Sequence, residues 1–228
     1  INLAVAAAPG AATQRVAIAL ILDRSGSMAG TPMLHLKAGA KEFVNIITDA
    51  NAQSGGNMYE MGLISFAAEA TTDVPLTGNI QTLNAAIEGL EAKGNTNQAG
   101  AFQQAGAMLQ GFDGKKVAVM FTDGMPTVGG DPTPQADELK AGGVEIFCIG
   151  LRGSDGLDED TLRAWVSPPP EDHVLLAPTA SELEEAFEAL ARELLEAGAR
   201  NVVVRDILGP QFTVLSVEQP SMGWAEAQ

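Results

Sequence analysis

The chain has 228 residues, enough for one large domain with a small appendage, and 46% of them are hydrophobic, which supports a sizeable core and argues against disorder. Thirteen Lys and Arg against 29 Asp and Glu give a formal charge of -16, which speaks against binding a nucleic-acid backbone and against docking to an anionic membrane surface. The single cysteine, Cys148, excludes an intramolecular disulfide and a cysteine-based zinc cluster, and two histidines, His35 and His173, leave little room for His-rich metal chemistry.

Residues 16–22, Val-Ala-Ile-Ala-Leu-Ile-Leu, form a continuous apolar run and predict a strand buried on both faces, as in a parallel sheet. A polar turn from Asp23 to Gly30 follows. Leu36, Ala40, Phe43, Val44 and Ile47 then recur at helical spacing, with Pro32 suited to the first turn. Met58–Ala67 reads as a second strand, and Thr71–Leu76 as a short one whose Pro75 suits an edge. Two helices follow, marked by Leu83, Ile87 and Leu90 and by Phe102, Ala105 and Leu109. Val117–Phe121 predicts another buried strand, ending at Thr122-Asp123-Gly124. A Pro- and Gly-rich loop runs to about residue 133, before a short helix at 134–141 and a strand at 144–150. The latter contains Cys148, so a buried, inert thiol is expected.

Residues 158–166 predict a helix, and the triple proline 168–170 breaks the pattern, leaving His173 in a loop. Val174–Leu176 is a short strand. Ser181 and Glu184 have the spacing of a capping box, and the helix they open buries Leu183, Phe187, Leu190 and Leu194 before stopping at Gly198. Strands alternating with helices predict an α/β fold over residues 15–198, with a doubly wound, mostly parallel sheet and helices on both faces. The flanks, 1–14 and 199–228, read as a terminal β segment: a hairpin over 201–206 and 211–218, joined by Asn2–Ala6 or opening a further β domain.

The chemistry gathers at strand ends. Asp23-Arg24-Ser25-Gly26-Ser27 offers one carboxylate and two hydroxyls directly after a buried strand, where open α/β sheets bind their ligands. Hard oxygen donors suit Mg²⁺, Mn²⁺ or Ca²⁺ better than zinc. Taken alone, Asp and Ser are equally ordinary turn and cap residues. Thr96, before the helix containing Phe102, and Asp123, closing the strand 117–122, place two further oxygen-bearing groups at element ends.

Asp23-x-Ser25-x-Ser27, then Thr96, then Thr122-Asp123-Gly124, each in its predicted context, resemble a von Willebrand factor type A domain with a metal-ion-dependent adhesion site. The resemblance spans residues 15–198. It implies a Rossmann-like fold in which Ser25, Ser27 and Thr96 are neutral metal ligands. Asp23 and Asp123 are the anionic ones, binding directly or through water. The implied ion is Mg²⁺, with Mn²⁺ or Ca²⁺ as alternatives. Mg²⁺ prefers six oxygens and keeps several waters, so a coordination position stays open for a Glu or Asp carboxylate of a protein partner.

The function implied is a divalent-cation-dependent protein-binding module, not an enzyme, with no nucleic acid as partner. The alternatives are a regulatory or assembly subunit of a larger enzyme complex, serving metal insertion or an ATPase, and a metal-free scaffold of the same fold. No apolar stretch approaches the roughly 18 residues of a membrane span, so no membrane insertion is expected.

Other features carry less. Arg24 is expected to face solvent, where it could steer an acidic partner, and the loop from Met125 to Asp131 to lie beside the site. Ser25 and Ser27 lack a Gly-x-Ser-x-Gly elbow, and no Walker or Gly-x-Gly-x-x-Gly motif occurs. Asp155–Asp160 lacks EF-hand spacing and reads as the approach to a helix. Trp165 and Met33, Met58, Met61, Met108 and Met120 are expected to pack in the core.

Overall fold

Every residue of strand β1 (Val16–Asp23) is buried. Ile18, Leu20 and Leu22 enter one hydrophobic cluster, while Ala17, Ala19 and Ile21 enter another on the opposite face. Side chains alternate across a strand, so a strand covered on both faces is apolar at successive positions, hence the uninterrupted run from Val16 to Leu22 before Asp23 at its carboxyl end. These details come from a computed structural model that describes residues 15–54, 58–151, 157–177, 179 and 181–199.

The remaining strands are β2 (Tyr59–Phe66), β3 (Ala70–Thr77), β4 (Lys115–Thr122), β5 (Val144–Leu151) and β6 (Val174–Ala177). They form one sheet in the order β3-β2-β1-β4-β5-β6, with every neighbouring pair parallel except the antiparallel pair β2 and β3. Strand β3 is an edge. Its Pro75 falls between the pairs Leu63–Val74 and Met61–Thr77, where the register shifts and no ladder amide is required.

The helices are α1 (Thr31–Gln53), α2 (Ile80–Glu88), α3 (Gln98–Leu109), α4 (Thr133–Ala141), α5 (Glu159–Trp165), α6 (Pro170–His173) and α7 (Glu182–Ala199). Phe43 of α1, Leu83 and Ile87 of α2 and Phe187 of α7 bury against one face of the sheet. Phe102 of α3, Leu139 of α4 and Trp165 of α5 bury against the other. Phe187 lies between Phe43 and Phe121, with ring centroids 6.2 and 6.1 Å away. Helices α1 and α7 approach closely at Gly39, where a Cβ would stand 2.7 Å from Cδ2 of Phe187. Trp165 meets Phe102 edge-on at 6.0 Å. Each such aromatic or aliphatic side chain contributes about 2 kcal/mol by leaving water. Met33, Met61 and Met120 are buried, and Met58 and Met108 pack against the same clusters.

Local details differ from the sequence expectation. At the start of α7 the Thr179 amide donates to Glu182 Oε2 at 3.1 Å, a contact two residues earlier than the Ser181–Glu184 pair. Glu184 instead reaches across to His35 Nδ1 on α1 at 2.7 Å. Helix α7 runs to Ala199, through Gly198. His173 closes the helical turn α6, because Pro170 breaks the preceding pattern but suits the first turn of a new helix. Its Nδ1 lies 2.9 Å from the Pro169 carbonyl. The expected hairpin over 201–218 and its partner Asn2–Ala6 lie outside the described residues.

The topology fixes where a ligand can sit. From β1 the chain adds β2 on one side, and later adds β4 on the other. A crevice opens beyond the carboxyl ends of the strands at such a reversal. Leu22 pairs with Phe121 across β1 and β4, so Asp23 and Thr122 leave the sheet side by side.

Candidate functional site

Asp23 ends β1 fully buried. Both of its oxygens accept hydrogen bonds: the Ser25 amide donates to Oδ1 at 2.8 Å, and the Thr122 hydroxyl donates to Oδ2 at 2.7 Å. The first is the local turn that an Asp two residues ahead of its donor makes readily. The Ser25 hydroxyl lies 3.1 Å from that of Ser27, which donates to Asp123 Oδ1 at 2.9 Å. A single 3₁₀ turn, Gly26–Met28, swings Ser27 back towards the sheet, and buried Met28 anchors it. Asp23, Ser25, Ser27 and Asp123 thus form one hydrogen-bonded chain across the ends of β1 and β4.

Thr96 arrives from a separate loop. The Lys93 amide donates to the Arg24 carbonyl at 2.8 Å and the Gly26 amide to the Gly94 carbonyl at 2.9 Å, laying this loop along the Asp23–Ser27 turn. Thr96 itself is buried, and its backbone is held from the other side by residues 127 and 128. Its amide donates to Thr127 Oγ1 at 2.9 Å, and its carbonyl accepts from the Thr127 and Val128 amides. The N-cap of α3 is Asn97, whose Oδ1 accepts from the Gly100 amide at 2.9 Å. The Thr96 hydroxyl is therefore not used as the cap.

The electrostatics of Asp23 are unfavourable as they stand. Burial pushes its carboxyl up to about 6, against the hydrogen bonds from Ser25 and Thr122 that lower it, and the charge of Asp123 adds to the rise. Those hydrogen-bond donors are neutral. A buried carboxylate in such a setting is stabilised by a cation placed nearby. Two carboxylates and three hydroxyls are all hard oxygen donors, a set that fits Mg²⁺, Mn²⁺ or Ca²⁺. Among the described residues, no group of three or more His, Cys, Asp or Glu side chains gathers to hold a metal in another way.

Two further residues, outside the candidate ligand set, belong to the site. Thr122 holds Asp23, and Gln98, fully buried at the start of α3, donates to Thr122 Oγ1 at 3.1 Å and to the Gly124 carbonyl at 3.0 Å. The signal for Gln98 was its spacing, since it falls on the same helical stripe as Phe102, Ala105 and Leu109. Arg24 differs from expectation: it is half-buried, and its Nε donates to Ser65 Oγ at 3.1 Å. The loop after Asp123 does lie beside the site. With the start of α5, it lines a cleft of about 690 Å³ that includes Met125, Val128, Asp131 and Asp160.

The model of the family described as von Willebrand factor type A domain matches residues 17–189. This chain belongs to the von Willebrand factor type A family. A segment of 104 residues is 39% identical to the "Sushi, von Willebrand factor type A, EGF and pentraxin domain-containing protein 1" of Rattus norvegicus, covering 45% of this chain and 3% of that protein. In three dimensions the domain is similar to the pilus adhesin SpaC from Lactobacillus rhamnosus GG, with a TM-score of 0.70 and 20% identity over 81% of this chain and 31% of that one. It is also similar to proximal thread matrix protein 1 from the mussel byssus, described with a zinc-occupied MIDAS motif. There the TM-score is 0.66 at 22% identity, over 78% of this chain and 47% of that one. The two structural likenesses concern the von Willebrand factor type A fold: a mostly parallel six-stranded sheet with helices on both faces. This chain thus spans a small part of the rat protein and less than half of either solved structure.

Proposed function

We propose that this von Willebrand factor type A domain is a divalent-cation-dependent protein-binding module and not an enzyme. Ser25, Ser27 and Thr96 hold Mg²⁺ through their hydroxyls, Asp23 and Asp123 supply the negative charge, and a Glu or Asp side chain of a protein partner completes the shell. The observation that carries this reading is Asp23, a fully buried carboxylate raised by desolvation, with neutral hydrogen-bond donors, at the sheet's switch point. When bound, the ion supplies a coordination position that a carboxylate oxygen can take. The mussel protein is described with zinc at its MIDAS motif. The hydroxyl-rich set here favours a harder ion.

The residues divide the work. Asp23 keeps the Ser25 amide and the Thr122 hydroxyl turned inward, which sets the Ser25–Ser27 turn. Ser27 orients Asp123 through a 2.9 Å hydrogen bond. The Thr96 backbone is clamped by Thr127 and Val128, so its hydroxyl is carried on a fixed loop. The adjoining cleft gives a partner apolar contact at Met125 and Val128 beside the metal.

The test is water-proton relaxation of the Mn²⁺-loaded chain. Mn²⁺ bound at this site raises relaxation through its exchangeable waters, and added acetate lowers the signal as a carboxylate displaces them. In Thr96→Ala both effects shrink. Relaxation that acetate leaves unchanged in the wild type contradicts an open position for a partner carboxylate.

A further inference from the structure

Gln98 is a polar side chain at a core position. It occupies the buried stripe of α3 otherwise filled by Phe102, Ala105 and Leu109, and its own Oε1 is buried without a hydrogen-bond partner. An apolar side chain there would leave no amide oxygen unsatisfied. The amide orientation is nonetheless fixed. Its neighbours are the Thr122 hydroxyl, which can donate or accept, and the Gly124 carbonyl, which can only accept. Turning the amide over would set two carbonyl oxygens against each other, so Nε2 faces both partners.

That orientation biases where the Thr122 proton goes. The Thr122 hydroxyl has two acceptors within reach, Asp23 Oδ2 at 2.7 Å and the Gly124 carbonyl at 3.0 Å. Gln98 Nε2 already supplies the Gly124 carbonyl and also donates to Thr122 Oγ1. With that carbonyl already supplied, the shorter contact, to the Asp23 carboxylate, takes the hydroxyl proton. Without Gln98, the Gly124 carbonyl would have no other side-chain donor among these groups than Thr122, and the two acceptors would compete for one proton.

We propose that Gln98 is a positioning residue of the metal centre: by satisfying the Gly124 carbonyl it commits the Thr122 hydroxyl to Asp23, which holds that carboxylate in one orientation towards the ion. The proposal rests on the metal-binding reading above. It assigns Gln98 a role exerted through Thr122, not a ligand's role.

The experiment measures Mn²⁺ affinity of the full chain, from free Mn²⁺ by electron paramagnetic resonance, in the wild type, Gln98→Met, Thr122→Val, Thr122→Ser and the Gln98→Met/Thr122→Val double variant. Groups that orient metal ligands typically alter affinity by about 10- to 100-fold. Gln98→Met is expected to weaken Mn²⁺ binding about tenfold, with a thermal midpoint equal to or above the wild type. Thr122→Val is expected to give a similar loss, and Thr122→Ser to retain affinity. The double variant should be no weaker than the weaker single one, because both act on one proton. Unchanged affinity in Gln98→Met overturns the proposal, as does a double variant that multiplies the two losses. If Gln98→Met does not fold, Gln98→Leu takes its place under the same criteria. A wild type that binds no Mn²⁺ refutes the metal-binding reading itself, an outcome separate from a wild type that binds while Gln98→Met binds equally well.

Discussion

Asp23 makes the metal-free fold sensitive to pH in an unusual direction. Its carboxyl is raised from 3.8 to about 6 in the folded chain, chiefly by burial. The folded state therefore holds this proton more tightly than the unfolded state. As pH rises from about 4 to about 6, the unfolded chain releases the proton first, so folding stability falls. At about 1.4 kcal/mol per unit, the difference corresponds to about 3 kcal/mol lost across that window. Other carboxylates move the opposite way, among them Glu145, held down by Lys115 and His173 against its burial. The contribution must therefore be read as a difference. Urea unfolding of the metal-stripped chain at pH 4 to 7 is compared with Asp23→Asn, which retains the shape without the charge. The wild type is expected to lose about 3 kcal/mol relative to the variant, and saturating Mg²⁺ at pH 7 to restore stability only in the wild type. Parallel stability profiles for the two chains would refute the reasoning.

Three further outcomes are expected. Gly129 has φ +82° and a Cβ there would overlap Oδ1 of Asn97, the cap of α3, so Gly129→Ala should cost about 1–3 kcal/mol in urea unfolding. Gly39→Ala places a Cβ 2.7 Å from Phe187 Cδ2 and 3.2 Å from the Glu184 backbone, and the resulting overpacking of α1 against α7 should cost a similar 1–3 kcal/mol or so, measured in the same way. Cys148 is fully buried and burial pushes its thiol upward, so a disulfide reagent should label it only as fast as the chain unfolds. Labelling of the native chain within seconds would contradict that burial.

The sequence was most informative where one physical rule acted alone. The short run from Val16 to Leu22, bounded by a polar turn, reads as a strand covered on both faces, and the sheet places it between β2 and β4. Pro75 marked an edge because a central strand cannot spare the amide. The candidate ligands were legible as a spaced set of oxygen donors at element ends, and the fold brings Asp23, Ser25, Ser27 and Asp123 into one hydrogen-bonded chain. Features that depend on competition between neighbours were not legible. Ser181 and Thr179 both precede a glutamate three residues on, and nothing local shows that Glu184 meets His35 on α1 while Glu182 accepts from the Thr179 amide. Arg24 looked solvent-facing because nothing local shows that Ser65, 41 residues away, lies within reach of its guanidinium. Gln98 was visible only as a polar residue on an apolar stripe, and its link to Asp23 passes through Thr122, from a different strand.

The central claim is that the ends of β1 and β4, with the Thr96 loop, form one site for a hard divalent cation. Calorimetric titration of the metal-stripped full chain with Mg²⁺ and then Mn²⁺, beside Ser27→Ala and Thr96→Ala, tests it most directly. One ion per wild-type chain is expected, with at least about tenfold weaker binding in each variant. Equal binding by all three chains, or no binding by the wild type, would contradict it.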